Sequence, residues 1–465
     1  MTVEQIYTGC LAQGAYYIVS NGEAAIIDPL REVSPYLERA DKDDVKIKYV
    51  FETHFHADFV SGHVSLSEKT GAPIVYGPNA NPKFEAIIAE DGQVFQIGDI
   101  TITALHTPGH TMESTTFLLK DKNGTEQAIF TGDTLFLGDV GRPDLAQKSA
   151  DMSREQLAEI LFDSLRNKIM TLPKNITVYP GHGAGSACGK NMMKETVDTL
   201  ENQLNMNYAL RADMSKPEFV EELLDGLAEP PAYFPLNVKM NKEGYEDFDK
   251  ILKNGLTAVS TDNFEQLVNS RDILMLDVRH QSEFINGHIP NSIFIGLAGG
   301  FAPWVGALIK DTKQEIILIA ESGQEKEAIT RLSRVGFDNV VGYLNGGFNA
   351  WKAAGKEYDT IVSKSAKEVA KMNQKEALRF FDVRKPGEYA ASHIKGANHT
   401  PLASINEHLS KFIDGDNYVH CLGGYRSVIA ISILKSRGIH NLVNITEGYQ
   451  QIEQENFDIN KTCQN

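Results

Sequence analysis

The chain has 465 residues, more than a single hydrophobic core usually serves, so two or three domains are expected. Its 45 basic and 62 acidic side chains give a net charge of −17, which disfavours nucleic acid and anionic membranes as partners and asks for a local basic pocket if the substrate is an anion. The N-terminus, MTVEQIYTGC, lacks a basic and then apolar leader, and no run is long and apolar enough to span a bilayer, so no membrane association and a cytoplasmic location are expected.

Short runs rich in β-formers come first: AYYIVS, AAIIDPL, IKYVFET, ITITALH, QAIFTGD and ITVYPGH, each bounded by turn residues, read as strands up to Gly183. From Lys190 the spacing turns helical, in KNMMKETVDTLENQLNMNYAL and again in PEFVEELLDGL. PPAYFPLN, Pro230 to Asn237, reads as a proline-rich wrap or linker, and the composition shifts again near Leu252. Cys10, Cys188, Cys421 and Cys463 lie far apart with no paired spacing, which favours reactive thiols over a disulfide framework.

The polar candidates cluster at strand ends. His54, His56 and Asp58 follow FET, His110 follows ITITALHTPG, Asp133 follows QAIFTG, and His182 follows ITVYPG. Separate strands ending in metal-binding residue types would gather ligands along one edge of an αββα sandwich. THFHAD, HTPGH, FTGDT and YPGHG, in this order, resemble the metallo-β-lactamase fold over roughly residues 1–250. In the hydrolytic branch, such as hydroxyacylglutathione hydrolase, THFHAD would continue with a histidine, a place that Phe59 takes here. The branch most similar is the persulfide dioxygenases, and that resemblance implies one Fe(II) per chain held by His54, His110 and Asp133. Two imidazoles and one carboxylate leave three positions open on an octahedral iron, enough for dioxygen and a substrate sulfur. A hydrolytic zinc pair needs more protein ligands and a bridging hydroxide.

His56, Asp58 and His182 are expected to orient ligands or bind substrate. Arg142, in GDVGRPD, would either clasp a carboxylate of a glutathione-like carrier or pair with Asp144. Cys188, in HGAGSACGK, is expected at a helix N-terminus with thiolate character, holding or relaying substrate sulfur, a small buried core cysteine being the other reading.

The last part of the chain repeats itself. ILMLDVRHQSEFINGHIPNS matches ALRFFDVRKPGEYAASHIKGAN, with Asp277, Arg279, Glu283 and His288 aligned to Asp382, Arg384, Glu388 and His393. Each copy alternates strands and helices in the order of a parallel α/β domain. The second copy carries VHCLGGYRS, with Cys421, Gly424 and Arg426 ahead of a helix. Such a loop, with Gly423, Gly424 and Tyr425 following the cysteine, would surround one sulfur with N–H donors, and Arg426 would add charge for an anionic donor or acceptor. DVR, the Glu388-to-His393 interval and the cysteine loop resemble the rhodanese sulfurtransferases. In the first copy Ala320 stands for Cys421 and Glu325 for Arg426, so that copy resembles an inactive rhodanese, with Asp277 and Arg279 serving the fold.

The expected architecture is an α/β chain: an αββα metallo-β-lactamase sandwich at 1–250, then two parallel α/β rhodanese-like domains, inactive at 251–358 and active at 359–465. The whole resembles fused bacterial persulfide dioxygenase and rhodanese proteins of sulfide detoxification, which implies O2, a thiol persulfide of glutathione, coenzyme A or a similar carrier, sulfite and thiosulfate as reactants. That resemblance leaves a homo-oligomer open. The competing readings are a zinc-dependent hydrolase of glutathione thioesters and a sulfur carrier or sensor whose metal is structural.

Overall fold

A computed structural model describes residues 1–145, 147–227, 229–412 and 415–461; Cys463 lies outside the described residues. The chain divides into two compact units, one of Met1–Lys250 with Leu332–Gly336 and one of Ile251–Arg331 with Phe337–Asn465. Among the described residues no helix is long and apolar enough to cross a membrane.

The first unit is built on two six-stranded sheets. Alternation along the strand Gln13–Ser20 decides what each face meets: Tyr16 and Ile18 join the core between the sheets, with Phe51, Phe117 and Phe130. Tyr17, one residue out of phase, packs with Ala24, Ile26, Tyr36 and Leu66 under the helices Ser34–Lys42 and His63–Thr70. The second sheet turns Leu118, Ile129 and Val178 toward the helices Arg154–Ser164 and Lys216–Leu224, which supply Leu161 and Phe219. Helix, sheet, sheet, helix is therefore the layer order, and the two inner faces bury their side chains against each other. Capping boxes at Ser153 with Gln156 and at Ser215 with Glu218 start two of these helices.

Three expectations are corrected here. Lys190 to Thr199 is not helical; the Asp139 carboxylate accepts from the backbone N–H groups of Lys190 and Asn191 at 2.5 and 2.7 Å, and Asp198–Thr199 pairs as a strand with Thr177–Pro180. Only Leu200–Met206 keeps the helical spacing. Within PPAYFPLN the linker reading fails from Phe234 onward, where the helix Phe234–Glu243 begins with Pro235 in its first turn. Cys188, in turn, sits in an irregular turn and opens no helix.

The second unit holds two five-stranded sheets of parallel strands whose orders correspond, and each copy of the repeat supplies one. The correspondence reaches single residues. Asp277 pairs with Ile319 and Asp382 with His420, which places Ala320 and Cys421 at equivalent points just past their strands. In both copies the aspartate holds the following arginine at 2.6 Å, and that arginine lies over an aromatic ring, Arg279 over Phe348 and Arg384 over Tyr449. Each arginine also donates to a backbone carbonyl, of Gly287 or Ser392, so the aligned Asp–Arg pairs tie two stretches of each domain together.

Candidate metal centre and sulfur loop

Each candidate ligand in the first unit follows a strand: His54 after Lys46–Phe51, His110 after Ile100–His106, Asp133 after Glu126–Gly132 and His182 after Thr177–Pro180. Glycines let them converge. Gly109, at φ +135°, passes the Leu161 backbone so closely that a Cβ would sit 2.4 Å from it, and a Cβ on Gly181 would meet Asp133 Oδ1 at 2.6 Å.

His54, His110 and Asp133 are buried, with one donor atom from each inside a 4.8 Å cluster. Their tautomers are set from behind. His110 Nδ1 donates to the Arg142 carbonyl at 2.8 Å, which leaves Nε2 to face the centre. His54 Nδ1 lies 3.0 Å from Thr53 Oγ1, whose own proton goes to Asp28 Oδ2 at 2.8 Å, so Nδ1–H donates and Nε2 again faces inward. Burial, then the neighbouring His56, pushes the His54 imidazole well toward its neutral form, the form a metal needs. Asp133 Oδ2 is buried without a hydrogen-bond partner, 3.9 Å from His54 Nε2 and 3.6 Å from His110 Nε2. These separations are too long for hydrogen bonds and match donors arranged around one ion, so the three residues fit a mononuclear divalent metal.

The other oxygen of Asp133 is committed elsewhere. Oδ1 lies 2.8 Å from His182 Nδ1, and His182 Nε2 lies 2.8 Å from Asp58 Oδ2. Burial opposes charge on this ring, but Asp133 and Asp58 outweigh it and raise its pKa to about 10, which favours the charged ring between the two carboxylates. Burial likewise opposes the Asp133 charge, yet His182 holds that carboxyl well below the usual carboxylate range. Phe59 is fully buried, near-perpendicular to the His182 ring and tilted against the His56 ring.

Cys188 completes this corner, within the same cluster span of Asp58 and His182. Burial and then the nearby Asp58 and Asp133 push its thiol well above the ordinary range, which disfavours the thiolate expected of it. The helix end that was to stabilise it is absent from that turn, and two carboxylates face it instead.

His56 does not join the triad's cluster. Its Nε2 lies 3.2 Å from Asp28 Oδ1 and 3.4 Å from Glu52 Oε2. Burial is the largest cause raising the Glu52 carboxyl to about 7. Asp28 and Glu52 were not among the candidates; each lies just past a strand, Glu23–Ile27 or Lys46–Phe51, that reads as ordinary core. Asn241 was missed too, because it lies far along the chain from the motif loop, on the helix Phe234–Glu243. Its side chain donates to the carbonyls of His56 and Phe59 at 2.8 Å and accepts from Ser61 N–H, so it staples the whole motif loop.

Arg142 is buried and forks onto Asp144, with both contacts 2.7 Å. Of the two readings, the geometry gives the internal pair, and the Arg142 backbone carbonyl is what touches the centre, through His110.

In the second unit Cys421 is buried at the end of the strand Asn417–His420. Gly424 N–H donates to its Sγ at 3.1 Å, and Ser427 Oγ, unremarked in the sequence, lies 3.7 Å away. Gly424 has φ +89°, and a Cβ there would meet the Thr446 carbonyl at 2.2 Å, so the loop can curl around the sulfur only with glycine. Gly423, the residue before it, has open space on its Cα apart from Gln450 at 3.6 Å. Arg426 is paired bidentately with Glu388 at 2.6 and 2.8 Å. Tyr425 points away from the sulfur, its hydroxyl donating to the Gly296 carbonyl of the first copy at 2.7 Å. In that copy Ala320 replaces the thiol, and Glu325 accepts from Gly323 N–H at 2.8 Å, so a carboxylate occupies the loop.

Two facing sheets flanked by helices, with ligands at strand ends, define a metallo-β-lactamase-type domain, and the tandem parallel sheets define rhodanese-type domains. Family comparisons agree: the metallo-beta-lactamase superfamily model matches residues 8–182, and the rhodanese-like domain model matches 260–354 and 365–455. A crystal structure of a metallo-beta-lactamase from Staphylococcus aureus subsp. aureus COL is 31% identical, with a TM-score of 0.66, covering 74% of this chain and 99% of that one. The chain belongs to the metallo-β-lactamase superfamily and carries two rhodanese-like domains. Among named relatives, cytoplasmic hydroxyacylglutathione hydrolase of Arabidopsis thaliana is 34% identical over 37% of this chain and 65% of its own length. Mitochondrial persulfide dioxygenase ETHE1 of Bos taurus is 32% identical over 43% of this chain and 70% of its own. Both branches thus resemble the first unit to a similar degree.

Proposed function

We propose that the chain oxidises low-molecular-weight thiol persulfides with dioxygen at one Fe(II), held by His54, His110 and Asp133, and transfers sulfane sulfur at Cys421. The division of labour is residues 1–250 for oxygenation, 251–358 as a rhodanese-like domain without nucleophile, and 359–465 for transfer. The observation that carries this reading is the corner beside the triad: the buried Phe59 ring stands beside His56 and His182, and both His182 nitrogens are engaged, one 2.8 Å from Asp133 and the other 2.8 Å from Asp58. A hydrolytic second zinc would need both positions.

Iron bound at the triad would supply open positions where dioxygen and a terminal persulfide sulfur meet. The chain's own residues do the rest. Arg142 and Thr53 hold the imidazoles in the ligating tautomer, His182 neutralises Asp133 from behind, and the buried surroundings exclude bulk water. The overall change is RSSH + O2 + H2O giving RSH, SO3²⁻ and two protons. At the second site the Cys421 thiolate attacks the outer sulfur of another persulfide, forming Cys421–S–SH and releasing RS⁻. Sulfite then takes that outer sulfur as thiosulfate and leaves the Cys421 thiol; the reverse run would use thiosulfate. Glutathione, coenzyme A and similar thiols are all carriers of the right chemistry, and sulfide detoxification is the role in which such a pair of reactions serves.

The second reading is zinc-dependent hydrolysis of glutathione thioesters, favoured by the resemblance to hydroxyacylglutathione hydrolases. Metal content separates the two. Protein purified without added metal and carrying about one iron and no stoichiometric zinc supports oxygenation. Two zinc ions per chain, with thioester turnover, would overturn it.

A further inference from the structure

Behind Cys421 runs a buried polar chain that the proposed chemistry does not use. Cys421 Sγ lies 3.7 Å from Ser427 Oγ, close enough for a weak thiol hydrogen bond. The Ser427 hydroxyl donates to Asn444 Oδ1 at 2.8 Å, with the Gly424 carbonyl, at 3.1 Å, as its other acceptor. Asn444 turns this oxygen toward Ser427 because its amide nitrogen faces Ser363 Oγ at 3.5 Å. Ser427 and Asn444 are both fully buried. The first copy of the repeat shows which residues go with the nucleophile. There Leu318 and Ala258 flank Tyr343 as Val419 and Ser363 flank Asn444. Lys326 follows Glu325 where Ser427 follows Arg426. Ala320, Lys326, Tyr343 and Ala258 thus stand for Cys421, Ser427, Asn444 and Ser363, so the copy that lost the thiol lacks the chain as well.

We propose that Ser427 is a catalytic residue at Cys421, donating its hydroxyl to Sγ whenever that sulfur carries charge, and that Asn444 is the positioning residue that aims it. In the thiol form S–H donates to Ser427 Oγ, and Ser427 donates onward to Asn444. In the thiolate form, rotation about the Cβ–Oγ bond turns the hydroxyl to the sulfur, which then accepts from Ser427 and from Gly424 N–H, the latter at 3.1 Å. Arg426 shares its charge with Glu388, so these two neutral donors count for more. Both half-reactions pass charge through Sγ. In loading, the thiolate attacks the outer sulfur of RS–SH, the donor's S–S bond breaks and RS⁻ leaves. The outer sulfur then gives its proton to solvent. In unloading, sulfite attacks that sulfur, the Cys421 S–S bond breaks with its electron pair on Sγ, and thiosulfate departs. Ser427 donates to the thiolate as it is expelled, so its largest effect falls on unloading. That step rests on the proposed sulfur transfer; the hydrogen bond to the thiolate does not.

Two measurements on the full-length protein test this. The first is the rate at which iodoacetamide alkylates Cys421 at fixed pH, followed by peptide mass mapping, which needs no persulfide. The second is unloading by sulfite after Cys421 has been loaded with glutathione persulfide. Ser427→Ala is expected to alkylate about tenfold more slowly and to unload about tenfold more slowly at saturating sulfite, with the half-saturating sulfite concentration unchanged. Ser427→Thr keeps a hydroxyl and should bring both rates to within about threefold of wild type. Asn444→Ala leaves Ser427 in place and should fall between; wild-type rates in this variant would overturn the role of Asn444, and it decides the matter if Ser427→Ala does not fold. Alkylation of Ser427→Ala at the wild-type rate, or Ser427→Thr reacting no faster than Ser427→Ala, would overturn the proposal. So would a raised half-saturating sulfite concentration with an unchanged maximal rate, the mark of a serine that only shapes the loop. Wild-type protein that takes no sulfur from glutathione persulfide would count against the proposed transfer, while the alkylation rates still decide the part of Ser427.

Discussion

The Phe59 ring lies 4.4 Å from the His56 imidazole, centroid to centroid, and both side chains are fully buried. On the proposed reading, this ring fills the place from which a histidine would reach a second metal. Phe59→His is therefore expected to raise the affinity for a second zinc at least about tenfold and to lower persulfide oxidation. Equilibrium dialysis against zinc checks it; unchanged zinc affinity would show that Phe59 has no part in metal number.

Asn241 serves the same loop from a distance. Losing its hydrogen bonds leaves the carbonyls of His56 and Phe59 and the Ser61 N–H unpaired inside the protein. Asn241→Ala should cost about 1–3 kcal/mol of stability and weaken iron retention by about 10- to 100-fold. Denaturation midpoints and iron content after dialysis measure the two effects.

The pair of Glu388 and Arg426 should make the sulfur loop sensitive to acid. Burial raises the Glu388 carboxyl, but the Arg426 guanidinium outweighs it and leaves the group below the ordinary glutamate range. A depressed folded pKa contributes stability that is complete above the unfolded value and is lost as pH falls through the folded one. Urea midpoints of the wild type should therefore fall more steeply below about pH 4.5 than those of Glu388→Gln. Equal slopes would remove the pair from the loop's stability. Arg426→Lys, which loses the two-pronged contact, should lower sulfur transfer by about tenfold or more.

Tyr425 links the sulfur loop to the copy that has no nucleophile. Its hydroxyl donates to the Gly296 carbonyl, and its ring packs edge-on to Phe294 and lies where a Cβ on Gly299 would be. Tyr425→Phe should cost about 1 kcal/mol, and Tyr425→Ala about 3–5 kcal/mol. Both should slow alkylation or sulfur loading of Cys421 in that order. Loading rates equal to wild type in Tyr425→Ala would mean the first copy does not position the loop.

The sequence carried the architecture well where residues act locally. Strand-end motifs and the internal repeat survive in a linear reading because period-two alternation and aligned DVR segments need no tertiary information. What stayed hidden depends on partners far along the chain. Lys190 and Asn191 are drawn out of helix by Asp139, Asn241 reaches back to the motif loop, and Arg426 is taken by Glu388. Cys188 shows this most clearly. Its neighbours in sequence suggest an activated thiol, whereas burial, and then Asp58 and Asp133 beside it in space, disfavour the thiolate. The triad by itself does not choose between iron and zinc, since His54, His110 and Asp133 suit either ion, and the proposal of iron rests on the corner beside it.

The most direct measurement is oxygen consumption by iron-loaded protein on addition of glutathione persulfide, with sulfite and thiosulfate assayed in the same sample. Oxygen uptake matched by sulfite plus thiosulfate is the predicted result, with uptake retained and thiosulfate lost in Cys421→Ser. No uptake with the persulfides of glutathione or coenzyme A, together with thioester hydrolysis by the zinc-loaded protein, would contradict it.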